Sequence, residues 1–285
     1  HTNTQGGAEI VGNTIYAYVG MRIYGTHNAR IDSNTILLAD QGSQGINNSN
    51  SRHSNYSHNL IMPQDEFGWY NTGMSLSSNY YATIHGNEIR NCRDEAFYMR
   101  YARYDTVTQN IVTRNWSCDG DDSHTAFYFN EQSWYNYFSE NIININNGPQ
   151  GADNDGHGYR RTHDFYGFSG ASNNHDNTFV NNSVTIGLTY DDNSAHNNRG
   201  FAYLGNNAVL EGNKVAVYNY MNNSSESDDD WRGRVSSCVY GYGQVTSTND
   251  TLITAKNTGG IHATDLNMSG TIISNSSSSH TEYYK

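Results

Sequence analysis

Acidic and imidazole side chains precede several segments that have the composition of short strands. The residues of this kind with catalytic potential are Glu95, Asp121, Asp122, His163 and Asp164. Glycoside hydrolysis uses one carboxyl group that protonates the leaving oxygen and a second that activates water or attacks the sugar. Neighbouring strands of a parallel sheet lie about 4.8 Å apart, so carboxyls one or two strands apart could act on one bond. A glycoside hydrolase is the first functional hypothesis, and solvated polar loops are the alternative interpretation.

Arginine and tyrosine on the outward side of the same strands suggest a second chemistry. β-Elimination of a uronic-acid polymer needs a cation that neutralises the carboxylate and a base that removes the proton from C5. Arg100 could supply the cation, and Tyr98, Tyr128 or His163 could supply the base. A polysaccharide lyase is therefore an open alternative to a hydrolase, and ordinary solvated side chains again compete with both.

Aromatic residues are frequent in the gaps between strands and at strand ends. Their rings offer flat apolar faces with polar tips, on which sugar rings stack. The chain contains 23 Tyr, which favours a broad glycan-contacting surface over a small-molecule pocket. Some of these rings could instead cover the ends of the core. The predicted substrate contacts are Trp69, Tyr70, Trp116, His124, Tyr128, Trp134, Arg160 and Arg161.

These segments are positioned by a repeat that keeps a fixed register from Gly20 to Val112. Each unit begins with a small residue and has an Asn fourteen positions later, and its core-type residues fall in three columns. All variation in length falls between units, as expected for stacked coils that bury their apolar faces against one another. The unit starts are Gly20, Gly45, Gly73 and Ala96, and the corresponding Asn residues are Asn34, Asn59, Asn87 and Asn110.

The units have the alternation of strands rather than the periodicity of helices. Met74 and Leu76 flank Ser75, a period of two that turns one face inward. The Asn at the fixed turn can adopt the left-handed conformation and bond its amide to the Asn of the next coil, which is a structural role. Asn48 stands where neighbouring units have apolar residues. That rung is either polar inside or locally distorted.

The Gly-x-apolar strand starts and Asn-x-Ile or Asn-x-Val turns resemble the right-handed parallel β-helix of the pectin-lyase-like superfamily, in the form with the short NosD-like repeat. Similar turns recur at Asn13, Asn141, Asn182 and Asn213. The resemblance implies an all-β, single-stranded solenoid of about ten coils with long loops over the central coils, forming one domain over residues 1–285. Since this scaffold supports lyases, hydrolases, epimerases, phage tailspikes and adhesins, it does not by itself assign a function.

Two short segments also resemble motifs of polygalacturonase-type hydrolases, which place acidic residues and Gly-His-Gly just before such strands. They are Gly120-Asp121-Asp122 and Gly156-His157-Gly158. The paired Asn-Thr-Asp of those enzymes is absent, as is the Arg-x-x-Pro-x-x-Arg signature of pectate lyases. The resemblance therefore leaves hydrolase and lyase both open.

Composition narrows the range of partners. The net charge is −12 with 16 Lys plus Arg, which argues against a nucleic-acid backbone. Mean hydropathy is −0.78, and no apolar run is long enough to span a membrane. We expect no obligatory cofactor, although the acidic runs at 153–155 and 228–230 leave bound Ca²⁺ open. Cys92 and Cys118 could form a disulfide if their gaps are neighbours, or all three cysteines could be thiols.

Two functions follow as hypotheses. In the first, the protein is extracellular and binds and cleaves a polysaccharide in a groove along the central coils. In the second, it is a non-catalytic glycan-binding rod at a cell surface or on a virion, such as a tailspike shaft or an adhesin. Because the chain begins at His1 and soon reaches a repeat Asn, we expect a piece of a longer protein. Its polar faces are compatible with a monomer and with a homotrimer.

Overall fold

The computed structural model describes residues 7–39, 42–64, 70–114, 124–147, 165–171, 173–190, 198–221, 237–254 and 261–274. Within these residues the chain forms parallel strands that wind into about ten coils. The predicted all-β parallel β-helix is therefore confirmed. No helix of the described part has the length and apolar character needed to cross a membrane.

Each coil contributes strands to three columns. Column A contains β3 (Met21–Tyr24), β6 (Gly42–Ser49), β9 (Tyr70–Ser77), β12 (Glu95–Arg100), β15 (His124–Asn130), β18 (Phe165–Ser169) and β21 (Asn198–Ala202). Column B contains β1 (Glu9–Val11), β4 (Arg30–Asp32), β7 (Asn55–Ser57), β10 (Thr83–His85), β13 (Thr106–Thr108), β16 (Tyr137–Ser139), β19 (Thr178–Val180) and β22 (Ala208–Glu211).

Column C completes each coil before the chain returns to column A. It contains β2 (Thr14–Ala17), β5 (Thr35–Leu38), β8 (Leu60–Pro63), β11 (Glu88–Arg90), β14 (Ile111–Arg114), β17 (Ile142–Asn147), β20 (Ser183–Tyr190) and β23 (Lys214–Met221). The long strand β24 (Ser237–Thr254) pairs with β21, β22 and β23 in turn, and β25 (Ile261–Ser274) pairs with β24.

The core is built from the apolar columns that the repeat predicts. In column B, Ile31, Tyr56, Ile84 and Val107 are aligned from coil to coil and fully buried. The same line continues through the less regular later coils as Phe138, Phe179 and Leu210. Parallel pairing in register places like residues over like, so each coil covers the apolar face of the next.

The small residue that begins each unit has a steric cause. A Cβ atom on Gly73 would lie 2.5 Å from the carbonyl oxygen of Ala96 in the next coil and 2.7 Å from Cδ1 of Ile89. Gly200 is tighter still, with Val215 Cγ1 at 2.2 Å. The start of each column A strand approaches both column C and the adjacent coil, so this row holds small residues, Gly or Ala in most coils and Cys238 in β24.

The predicted asparagine ladder is present. Each Asn side-chain amide donates to the side-chain oxygen of the Asn in the next coil at 2.9–3.0 Å, from Asn13 through Asn213. The backbone N–H of each residue donates to the same oxygen. Asp250 accepts the bonds of Asn213 in the place of a further Asn. The ladder satisfies buried polar groups at a turn that would otherwise leave them unbonded.

The sequence left open whether the coil that contains Asn48 is polar inside or locally distorted. The structure shows that this coil is polar inside and keeps its register. Asn48 pairs with Ile23 and Leu76 in the neighbouring coils and is fully buried. Its amide lies 2.6 Å from the hydroxyl oxygen of Tyr56, which accepts the bond inside the solenoid.

Candidate functional site

A cleft of about 520 Å³ lies on the outward face of column A, over β12, β15, β18 and β21. We call it the tyrosine cleft. It is lined by the acidic residues Asp94 and Glu95, by three tyrosines (Tyr128, Tyr166 and Tyr203), and by the small residues Thr125, Ser169 and Gly170.

The register of the parallel strands brings these side chains together. Glu95, Thr125 and Tyr166 occupy one outward row in successive coils, and Tyr128 and Ser169 belong to the next row. Between the two rows, the strand turns two consecutive residues inward, such as Ala96 and Phe97, both fully buried. The inward pair anchors the strand, and the outward rows form the floor of the cleft.

Glu95 is the predicted catalytic carboxyl group that the structure places in the cleft. It is half-buried, and the Thr72 hydroxyl donates to its Oε2 at 3.3 Å. Asp94 lines the same cleft and has its Oδ1 3.8 Å from Nε of Arg93. Two carboxyl groups therefore border one open surface, beside a tyrosine that can bind hydroxyl groups.

Tyr98 and Tyr128 lie side by side on adjacent strands, with ring centroids 5.7 Å apart. Partial burial raises the pKa of both phenols. Nearby carboxylates act in the same direction, while Arg100 partly opposes the shift at Tyr98. Both side chains are therefore protonated at neutral pH. They are suited to donating hydrogen bonds rather than to removing a proton from a sugar.

Arg100 is engaged by an acidic neighbour. Its Nε and Nη2 lie 2.7 and 2.5 Å from Oε2 of Glu131, which raises the pKa of Arg100. Hydrogen bonds from Tyr101 and then from Arg100 lower the pKa of Glu131. Tyr101 also bonds Glu131. Arg100 does not line the tyrosine cleft. The cation that the lyase hypothesis requires is thus already neutralised.

Tyr166 and Tyr203 line the far end of the cleft, Arg199 bonds Tyr203 beside it, and none of the three was a predicted site residue. Nη1 of Arg199 donates to the Tyr203 hydroxyl at 2.8 Å. The guanidinium lies over the rings of Tyr166 at 5.6 Å and Tyr203 at 5.3 Å. The alignment of Tyr166 and Arg199 with Glu95 and Thr125 was hidden because the unit starts shift by one residue in the later coils.

The expectation that Tyr70 and His124 contact a sugar is corrected by their burial, since neither is exposed. The Tyr70 hydroxyl donates to the Ile61 carbonyl at 3.3 Å, and burial raises its pKa well above the usual value. Nδ1 of His124 lies 3.1 Å from the carbonyl oxygen of Arg93. Burial, aided by the charge of Arg114, lowers the pKa of His124, so its imidazole is neutral.

Trp134 is half-buried, and both faces of its indole are covered. The Arg103 guanidinium lies 3.9 Å from the ring centroid, and the His175 ring stacks at 4.6 Å. A sugar cannot stack on either face without displacing one of these groups. Trp134 therefore presents only its edge.

The remaining predicted site residues fall outside the described residues. They are Asp121, Asp122, His163 and Asp164 among the catalytic candidates, and Trp69, Trp116, Arg160 and Arg161 among the substrate contacts. The acidic runs that left Ca²⁺ open and Cys118 of the suggested disulfide also fall there. In the part of the chain that is described, no three potential metal-ligating side chains of the His, Cys, Asp or Glu type cluster together.

The parallel solenoid agrees with the architecture that the repeat predicts, and the cleft lies on its outward face. No protein-family model, curated protein or solved structure matches the chain.

Proposed function

We propose that the protein binds a polysaccharide in the tyrosine cleft and hydrolyses it outside the cell. The observation that supports this is the meeting of two carboxyl groups, Asp94 and Glu95, with Tyr128 in one open cleft. An open surface of this kind suits a polysaccharide chain that lies along the sheet better than a small molecule, which binding sites usually enclose. The three cleft tyrosines offer hydroxyl groups and ring edges to successive sugars.

Glu95 is our candidate for the general acid that protonates the leaving oxygen. Asp94 is the candidate for the second carboxyl, which activates water or attacks the anomeric carbon. Asp121, Asp122 and Asp164 remain sequence-based alternatives for that second role. Hydrolysis is favoured over elimination because Arg100 is paired with Glu131 and because Tyr98 and Tyr128 stay protonated.

We also propose that the chain is a member of the pectin-lyase-like superfamily. The supporting features are the small residue at each unit start and the asparagine ladder at one turn. These are properties of the scaffold and indicate common descent. They do not indicate a reaction, which depends on the residues of the cleft.

The test is incubation with neutral and uronic-acid polysaccharides, following new reducing ends and the ultraviolet absorbance of unsaturated products. We expect reducing ends without that absorbance. Glu95→Gln should abolish them while binding persists, and Glu211→Gln, an exposed residue of column B, should leave them unchanged. Both signals together would establish a lyase instead, and retention of full activity by Glu95→Gln would exclude Glu95 as the acid.

A non-catalytic glycan-binding rod is the second candidate. It is favoured by the loss of two expected participants, since His124 is buried and neutral and Arg100 is paired. A tailspike shaft or an adhesin would bind the polysaccharide in the same cleft without forming products. Binding that Tyr128→Ala weakens, with no product from any polymer, would support this candidate, and sedimentation would separate monomer from homotrimer.

A further inference from the structure

The turn that leads from each column A strand to column B presents aromatic and cationic side chains over five consecutive coils. Its inner row is Arg52, Tyr80, Arg103, Trp134 and His175, which are bridged in register from coil to coil. The Arg52 guanidinium lies 5.3 Å from the Tyr80 ring centroid, and Arg103 lies between Tyr80 and Trp134, at 5.6 and 3.9 Å. Cations and rings thus alternate along the solenoid axis.

The outer row of the same turn is a stack of exposed rings. His53, Tyr81, Tyr104 and Tyr135 follow one another with centroid separations of 5.1, 5.0 and 5.2 Å and interplanar angles of 9° or less. All four have φ between 54° and 58°. This left-handed conformation is uncommon for aromatic residues, and its repetition keeps the rings parallel. The two rows together are the aromatic ridge.

The stacking decides what the aromatic ridge can recognise. In the outer row, the ring faces that lie between neighbouring coils are covered by the stacked rings of those coils. In the inner row, both faces of the Trp134 indole are covered. Stacking of sugar rings or bases on free aromatic faces is therefore not what this surface offers. What remains for recognition are ring edges, the hydroxyls of Tyr81 and Tyr104, the exposed guanidinium of Arg52 and the half-buried guanidinium of Arg103. These groups bind polar and anionic partners.

The ridge is positively charged within an acidic chain. Arg52 and Arg103 form no ion pair with any carboxylate of the described residues, whereas Arg30, Arg90 and Arg100 do. The carboxylates that are close in sequence are otherwise engaged. Glu131 pairs with Arg100, Asp176 bonds His175 at 2.7 Å and also bonds Tyr135, and Asp105 is buried.

We propose that the aromatic ridge binds a linear acidic glycan that runs along the solenoid axis. Carboxylate or sulfate groups lie at Arg52 and Arg103, which are two coils or about 10 Å apart. The hydroxyls of Tyr81 and Tyr104 bond the sugar hydroxyls beside these charges, whereas the hydroxyl of Tyr135 bonds Asp176. This site is separate from the tyrosine cleft, which is lined by carboxyl groups.

Single-stranded nucleic acid is the competing polyanion, and the ridge is poorly suited to it. Proteins that bind single strands stack bases on free aromatic faces and line the backbone with many cations. Here the faces are covered, two arginines are available, and the net charge is −12. A glycan with widely spaced acidic groups matches the two arginines and the row of hydroxyls.

The test compares Arg52→Gln/Arg103→Gln with Arg22→Gln, which alters an exposed arginine outside the ridge. Binding is measured to polygalacturonate, a sulfated glycosaminoglycan, neutral dextran and oligo(dT). We expect the two acidic glycans to bind and their affinity to fall as salt rises above about 0.1 M. The double variant should lose about tenfold in affinity, because exposed charge contacts are individually weak. Arg22→Gln should bind as the unaltered chain does.

A second variant separates the ridge from general charge effects. Tyr81→Phe/Tyr104→Phe keeps the stack and removes the two hydroxyls, so binding to acidic glycans should weaken while the thermal transition is retained. The proposal is overturned if neither acidic glycan binds, if Arg22→Gln loses as much affinity as the double variant, or if oligo(dT) binds more tightly than either glycan.

Discussion

Asp105 and Asn136 occupy the same position in successive coils, and the backbone N–H of Asp105 donates to Oδ1 of Asn136 at 3.0 Å. Asn177 continues the row and bonds Asn136 in the same way. Asp105 is thus a carboxyl group in a buried row in which the next two coils use amides. Its Oδ1 accepts the N–H of Ala82 at 2.7 Å, and its Oδ2 is buried without a partner among the described residues.

Burial raises the pKa of Asp105 to about 8. The folded state therefore binds a proton that the unfolded state releases between the ordinary Asp pKa, about 4, and pH 8. The contribution of Asp105 to stability should be fully present below about pH 4 and be lost as pH rises to about 8. Asp105→Asn should remove this loss, because an amide keeps the acceptor and has no proton to lose. Urea unfolding from pH 5 to 9 measures it, and equal pH dependence in both proteins would contradict the assignment.

The asparagine ladder should contribute strongly to stability at Asn110. Its side chain accepts two bonds from Asn87 and donates to the Ile84 carbonyl and to Asn141. Asn110→Ala leaves several buried groups without partners and should lower the free energy of unfolding by about 2–4 kcal/mol. Asn55→Ala, an exposed position of column B, should change it by less than about 0.5 kcal/mol. Similar losses in both variants would contradict the role of the ladder.

The unit start at Gly200 should not tolerate a larger side chain. A Cβ there would lie 2.2 Å from Val215 Cγ1 and 2.7 Å from the carbonyl oxygen of Cys238. Gly200→Ala should therefore lower the free energy of unfolding by about 1–3 kcal/mol. Gly12→Asn is the comparison, since Gly12 has open space and φ of +69°, which Asn adopts readily. Denaturant melts that show Gly200→Ala unchanged would mean that the adjacent coil moves to make room.

Tyr128 should contribute to glycan binding in the tyrosine cleft. Tyr128→Ala removes a ring and a hydroxyl from the cleft floor and should weaken affinity for the bound polysaccharide about tenfold. Tyr137 is 41% exposed on column B, so Tyr137→Ala is a matched control and should leave affinity unchanged. Calorimetry or affinity electrophoresis measures both, and equal affinity for the two variants would move the binding site away from the cleft.

The solenoid could be derived from the sequence because its order is local and repeated. A small residue, an apolar pair and an Asn recur at fixed offsets within each unit, and parallel stacking in register then places like on like. Phe138 follows the same logic, since its position in the unit determines that it faces inward, whereas the burial of Asn48 was left open by the sequence. The identity of Glu95 as an outward carboxyl at a strand start was also predictable for this reason.

The site needed the tertiary structure because its contacts join different coils. Period-two alternation counted back from Phe127 would turn His124 outward, whereas the successive inward residues Ala126 and Phe127 turn it into the core. Tyr70, which the sequence places in a gap between units, is buried at the start of β9. The pairing of Arg100 with Glu131 and the approach of Arg103 to Trp134 link residues 31 positions apart. Whether a ring presents its face or its edge depends on the side chain in the coil above it, so only the stacked structure decided what the aromatic ridge can bind.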